Sequence, residues 1–261
     1  MSVVVYEHPL SPYAQKVKIA LDEKGVAYET KMPTAIGTGR VDEEFLEASP
    51  RGEVPVLLDG APLFDSTIIL EYIEDKWPEP PLLPKEPLAR ARARTIEEVM
   101  DSHFEPINWG IGELRWFKRA EGHVAQDIER RAAAQARGIY DWLTRMLGEA
   151  EWFGGKTFGW ADLSVVPYLN GARGNGIGPY ETSPLGRWLT RASARPSVTK
   201  TMQAAAESLK SMANVADAVK SGIFKREYRD HRLDWMIRSG GLNVVLEGIK
   251  NDNIRFTNDL S

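Results

Sequence analysis

Three short segments near the amino terminus carry residue types that could hold an anion and an amino-acid head group. In the first, Ser11-Pro12-Tyr13 stands where a β-branched run ends and a helical pattern begins. Proline suits the first helical turn, because its missing N–H would be unbonded there anyway. The Ser11 hydroxyl and the free N–H groups after it face the positive end of a helix dipole, which stabilises an anion such as a thiolate. Lowering a thiol from its ordinary value of about 8.5 by two pH units takes roughly 2.7 kcal/mol. A dipole worth about 0.3–1 kcal/mol and charge-assisted hydrogen bonds worth about 1.5–3 kcal/mol can supply that. In the second segment, Val54-Pro55 opens an apolar strand and is a candidate cis peptide, which would turn the Val54 N–H and C=O toward a ligand lying as an added strand. In the third, Asp65-Ser66 precedes a helical register. The pair offers a carboxylate for an ammonium, and a hydroxyl with N–H groups for a carboxylate. Each segment taken singly also reads as plain helix capping or strand punctuation.

The elements that must position these residues follow from periodicity. Val3 to Tyr6 reads as a buried strand, and 13–24 as an amphipathic helix stopped by Gly25. A second strand is expected at 26–32, a short helix at 42–48, and a third strand at 54–58. Asp59-Gly60 signals a hairpin into a fourth strand at 61–64. A helix at 68–77 completes a βαβαββα order, a mixed sheet with helices on its faces. Residues 78–87 hold five prolines and read as an interdomain linker. Beyond it the pattern is helical throughout, with long segments at 88–119, 124–147 and 160–169, then 185–194 and 197–221. The tail is heavily charged at 225–231 and amphipathic at 233–237 and 242–249. It has enough apolar residues to fold back over the helices or the interdomain cleft.

Composition removes several classes of chemistry. The 261 residues contain no cysteine, which excludes disulfides, thiolate metal sites and a cysteine nucleophile. The formal charge of −4 disfavours nucleic acid. No apolar stretch is long enough to span a bilayer, and the first residues lack the pattern of a signal peptide, so a cytoplasmic protein is expected. The four histidines are scattered, and no metal site is expected. Gly155-Lys156-Thr157 lacks the earlier glycine and preceding strand of a phosphate loop, and Gly174, Gly176 and Gly178 do not make a dinucleotide fingerprint.

Read in order, SPYAQKVKIALDEKG, SPRGEVPVL and FDSTIILEYIEDKWPEP resemble the glutathione-binding domain of the cytosolic glutathione transferase superfamily. The likeness is closest to its serine-type (tau, zeta) and omega-like branches. FGWADLSVVPYL resembles the family's buried helix-capping segment and GRWLTRASARPSV its late helix and turn, so the resemblance spans about residues 1–210. It implies a thioredoxin-like glutathione-binding domain over 1–80, an all-helical domain with the electrophile site over 88–222, and an extension over 223–261 packing on the helical domain. Ser11 matches the thiol-activating position. Arg40, Glu53, Val54, Pro55, Asp65 and Ser66 match glutathione-binding positions, with Val54 pairing to the cysteinyl unit and Asp65-Ser66 holding the γ-glutamyl group. Tyr13, Trp109, Trp116, Tyr168 and Arg173, with Phe117, are candidates for the electrophile pocket, and Trp235 and Met236 for its lid. Tyr6 is an alternative thiol activator, and His8 lies near Ser11.

The implied activity uses glutathione as co-substrate and no metal. The thiol, activated by Ser11, attacks an apolar or aromatic electrophile by conjugation or leaving-group displacement, in a homodimer. The FGWA segment and the long C-terminus are also similar to those of bacterial lignin-fragment glutathione lyases and etherases. Two alternatives stay open: a non-catalytic scaffold that keeps the fold, and a glutathione-dependent isomerase or lyase. Two departures bear on them. Glu53 puts a carboxylate where it could repel glutathione unless paired or turned away, and Gly159 replaces the family's Ser or Thr cap, with Asp162 able to reach back.

Overall fold

The computed structural model describes residues 2–34 and 42–257. The amino-terminal part is a four-stranded mixed sheet flanked by helices. Strand β1 (Val3–Tyr6) is followed by α1 (Pro12–Glu23), β2 (Tyr28–Lys31) and α2 (Glu43–Ala48). Then come β3 (Val56–Leu58), β4 (Pro62–Phe64) and α3 (Ser66–Lys76). The strand order is β2-β1-β3-β4. β1 runs parallel to β2 and antiparallel to β3, with Tyr6 opposite Val56, and β3 pairs antiparallel with β4, with Val56 opposite Phe64. The expected order is therefore present. β2 starts two residues later than its apolar pattern suggested, and β3 starts at Val56, which leaves Val54 and Pro55 as an approach segment outside the ladder.

Helix α1 starts and stops by local chemistry. The Ser11 hydroxyl accepts from the Ala14 N–H at 3.3 Å. At the other end Gly25 takes φ +68°, and the Gly25 and Val26 N–H groups donate to Asp22 and Leu21 carbonyls. That is the paired bonding of a Schellman stop, which needs a left-handed residue. Val17, Ala20 and Leu21 bury completely against Val5, Leu57, Ile69 and Ile73. Full burial of Val17 or Leu21 contributes roughly 1.5–3 kcal/mol.

The remainder is helical. α4 (Pro87–Val99) runs into a single π turn at Met100–Phe104 and on into α5 (Glu105–Arg115). The expected unbroken helix over 88–119 is thus widened once and ends early. α6 (Gly122–Leu147), α7 (Trp160–Gly174), α8 (Pro184–Ser193) and α9 (Pro196–Leu209) follow. A 3-10 turn separates α9 from α10 (Val215–Lys220), so the expected helix over 197–221 is also divided. The tail then folds back as β5 (Arg226–Glu227), α11 (Asp230–Arg238), α12 (Leu242–Lys250) and β6 (Ile254–Arg255). β5 and β6 pair in parallel, a small ladder that the helical reading of this half did not include.

The cap of α7 explains Gly159. Asp162 Oδ2 accepts from the Gly159 N–H at 3.1 Å, and Asp162 Oδ1 accepts from Phe153 N–H and from Trp188 Nε1–H. The Trp160 N–H donates to the Leu82 carbonyl of the proline-rich linker at 2.8 Å. A Cβ at position 159 would sit 2.5 Å from that carbonyl oxygen, so the close approach of linker and helix requires glycine. Burial pushes the Asp162 carboxyl up to about 6, against these donors.

Candidate functional site

A polar cavity of about 230 Å³ lies between the sheet domain, the π turn and the tail. From the sheet side it is lined by Ser49, Arg51, Glu53, Val54, Pro55 and the stretch Phe64–Thr67. The helical domain adds Asp101 and Ser102 from the π turn, and the tail adds Arg229, Asp230 and His231. Tyr13 closes the wall next to α1.

The Val54-Pro55 peptide is cis. Neither the Val54 N–H nor its C=O has a partner among the described residues. An open donor and acceptor at a strand entrance can take an extended peptide. Asp65 has φ +73°, a left-handed value rare outside glycine, and its carboxylate caps α3 by accepting from Thr67 and Ile68 N–H groups. Such strain, costing on the order of 1–3 kcal/mol, collects at binding sites. Ser66 beside it is buried. Glu53, suspect in the sequence, is paired. Its side chain lies 3.3 Å from Arg51 and 3.6 Å from Arg229, and accepts from Thr257 Oγ1 at 3.1 Å.

Ser11 itself is not among the lining residues. It sits in the turn between β1 and α1, at the sheet end where Val54 and Pro55 enter the neighbouring strand. Its oxygen accepts one N–H, and its own O–H has no acceptor among the described residues. Tyr13 differs. Its O–H donates to the Asp101 carbonyl at 2.9 Å and lies 3.3 Å from His231 Nε2. Burial, then Glu105 and Asp101, hold the Tyr13 phenol well above its ordinary value, so it stays neutral. The Tyr6 hydroxyl donates to Glu44, and the His8 carbonyl accepts from the Ser11 N–H. Arg40 lies outside the described residues.

The structure does not bring the remaining electrophile candidates to this cavity. Trp109 is buried beneath Tyr228, with ring centroids 4.7 Å apart. Tyr168 is buried, and its O–H donates to Asp101 Oδ1 at 2.7 Å. Trp116 is exposed away from the cavity, Phe117 packs under the Arg226 guanidinium, and Arg173 bonds to Asn170 at 2.9 Å. Trp235 and Met236 are packed within the helical domain. Trp235 Nε1–H donates to Gln135, and its ring lies against Gly110. Aromatic residues at helical spacing do not reveal whether they face a core or a pocket; here Tyr228 of the tail covers Trp109, and Tyr13 and Phe104 pack against Tyr168.

Two buried charge networks hold the walls. Lys16 on α1 sits between Glu97 on α4 and Asp101, 2.5 Å from each. Glu97 also accepts from Trp160 Nε1–H and Thr67 Oγ1. Burial works to lower the Lys16 ammonium, but Asp101 and Glu97 outweigh it and raise it, while burial keeps the Asp101 carboxyl raised despite Lys16. In the second network Glu105 accepts from Arg232 at 2.6 Å and lies 3.1 Å from His231 Nε2. Burial raises the Glu105 carboxyl, yet Arg232 and His231 hold it down at about 2. Arg226 and Tyr228 likewise converge on Glu113. The sequence reading passed over these tail residues, and the run of charge at 225–231 was their one signal.

The profile of the glutathione S-transferase N-terminal domain matches residues 5–81. "Glutathione S-transferase U26" of Arabidopsis thaliana is 30% identical over 172 residues, covering 64% of this chain and 72% of the relative. This chain belongs to the glutathione S-transferase family. A "Stringent starvation protein A homolog" of Pasteurella multocida is 31% identical over 159 residues, 60% of this chain and 68% of the relative. Among solved structures, rice GST1 in complex with glutathione matches with a TM-score of 0.67 at 27% identity, covering 83% of this chain and 96% of the rice chain. The glutathione transferase fold thus accounts for the thioredoxin-like domain and the helical domain. The tail of this transferase beyond about residue 222 supplies Arg229, Asp230 and His231 to the cavity wall. Among the described residues, no helix is long and apolar enough to cross a membrane, and no three His, Asp or Glu side chains cluster as metal ligands would.

Proposed function

We propose that this chain binds glutathione as an extended strand along Val54 and uses Ser11 to hold its sulfur as thiolate. The observation that carries the reading is the unpaired Val54 peptide edge beside the cis-proline, at the same sheet end as a Ser11 hydroxyl whose proton is uncommitted. Ser66 and the N-terminus of α3 take the γ-glutamyl carboxylate, and Asp65 its ammonium. The thiol proton leaves to solvent. The Ser11 O–H then donates to the sulfur, which attacks an electrophilic carbon to form a thioether or displaces a leaving group. Because Tyr228 and Tyr13 cover Trp109 and Tyr168, the second substrate reaches the sulfur through the mouth formed by Asp101, Ser102, Asp230 and His231.

Glu53 gave weight to a scaffold without activity. Its two arginine partners remove the unpaired carboxylate on which that reading rested. A homodimer in the cytoplasm belongs to the same proposal. The test is turnover of glutathione against a panel of aryl halides, epoxides, activated alkenes and aryl ethers. Ser11→Ala lowers kcat/KM by ten- to a hundredfold (about 1.5–3 kcal/mol) with glutathione affinity retained. Equal rates for the variant and wild type on every active compound refute the role of Ser11.

A further inference from the structure

The cavity wall carries a row of alternating charges. Asp65 Oδ2 lies 3.5 Å from Arg51, Arg51 lies 3.3 Å from Glu53 Oε2, and the same oxygen lies 3.6 Å from Arg229. Asp65 marks the end that takes the γ-glutamyl group, so Arg229 marks the opposite end of an extended tripeptide. We infer that Arg229, reaching in from the tail, binds the glycyl carboxylate of glutathione, with Arg51 beside it. This rests on the glutathione-binding reading and adds a residue that the tail supplies.

The donors are free to do it. At 3.6 Å the Arg229–Glu53 contact is an ion pair without a hydrogen bond, and the Arg229 guanidinium makes no hydrogen bond among the described residues. Arg51 Nε is buried without an acceptor. Of the neighbouring charges, Glu227 Oε1 is buried without a donor, and the others are paired. Arg232 serves Glu105, and Glu227 serves Arg255 at 3.2 Å and Arg232 at 3.8 Å. A guanidinium with open parallel N–H groups matches a carboxylate bidentately. Glu53 then has a positive role. It anchors Arg229 at the wall without consuming its donors, where an unpaired carboxylate would repel the ligand. The Arg229 guanidinium also lies over the Tyr13 ring at 5.8 Å, which fixes its height above α1.

The test compares glutathione with its glycyl ethyl ester by calorimetric titration of the full chain. Wild type prefers the free acid by about ten- to a hundredfold, the value of a charge-assisted hydrogen bond. In Arg229→Gln, glutathione weakens by that factor, the ester is unchanged, and the preference disappears. Arg229→Lys recovers part of it, as a point charge without the fork. Glu53→Gln, which releases Arg229 from its anchor at the wall, lowers the preference for glutathione over the ester and keeps the result readable if Arg229→Gln folds poorly. Arg238→Gln, an exposed change at the far end of the helix that Arg229 precedes, matches wild type. Binding of glutathione by Arg229→Gln with the wild-type preference intact overturns the assignment. Absence of glutathione binding by wild type overturns the transferase reading itself, and this assignment with it.

Discussion

Glu105→Gln offers a direct look at what clamps the tail over the cleft. Glu105 is buried on α5, takes two Arg232 N–H donors, and faces His231 Nε2. A carboxyl held at about 2, against 4.5 when unfolded, corresponds to about 3 kcal/mol of stability in its ionised form. The sign follows from the lowered folded-state value. The contribution is complete above pH 4.5 and is lost as the pH falls toward 2. By pH 3.5 linkage removes about 1.4 kcal/mol of it. Glutamine keeps the shape and loses the charge. The variant is therefore expected to be about 3 kcal/mol less stable than wild type at pH 7, and the gap narrows to about 2 kcal/mol at pH 3.5. Urea denaturation at both pH values reads the gap, and taking the difference removes other titrations, such as Asp162, which works the opposite way. Hydrogen exchange should show α11 opening before the sheet domain. A gap that stays constant with pH would refute the electrostatic clamp.

Other consequences are open to the same methods. Gly110→Ala puts a Cβ 2.0 Å from the Trp235 ring, so it should cost at least about 1–3 kcal/mol and expose the tail to protease. Gly159→Ser restores the usual capping residue type, yet should destabilise by about 1–3 kcal/mol in thermal or urea unfolding, because the Leu82 carbonyl occupies the space. Lys16→Met leaves the buried Glu97 and the partly buried Asp101 without their cation and should cost about 3–5 kcal/mol at pH 7, with less lost under acid conditions as Asp101 takes a proton.

Much of the sheet domain was legible because local signals and global pattern agree there. The β-branched run at Val3, the Gly25 stop and the Asp59-Gly60 hairpin each have a local physical cause, and together they order the elements. The helical half was less legible at particular places. Nothing in 88–119 announces the π turn. The turn accompanies the tertiary network in which Asp101 meets Lys16 and Tyr168, residues far away in sequence. The site divided in the same way. Val54, Pro55, Asp65 and Ser66 were readable as capping and strand punctuation that also suits a ligand. Arg229 and His231 were not, since a charged run is ordinarily solvated. Their partners Glu53 and Glu105 lie more than a hundred residues upstream. Trp109 and Tyr168 do not line the cavity, and spacing shows that a residue faces inward without showing what covers it.

The central claim is that Ser11 holds the glutathione sulfur as thiolate. Thiolate absorbance of bound glutathione, followed against pH in wild type and Ser11→Ala, tests it most directly. The account predicts a thiol titrating about two pH units below the free value of about 8.5 in wild type, and returning toward it in Ser11→Ala. A bound thiol that titrates identically in both proteins would contradict it.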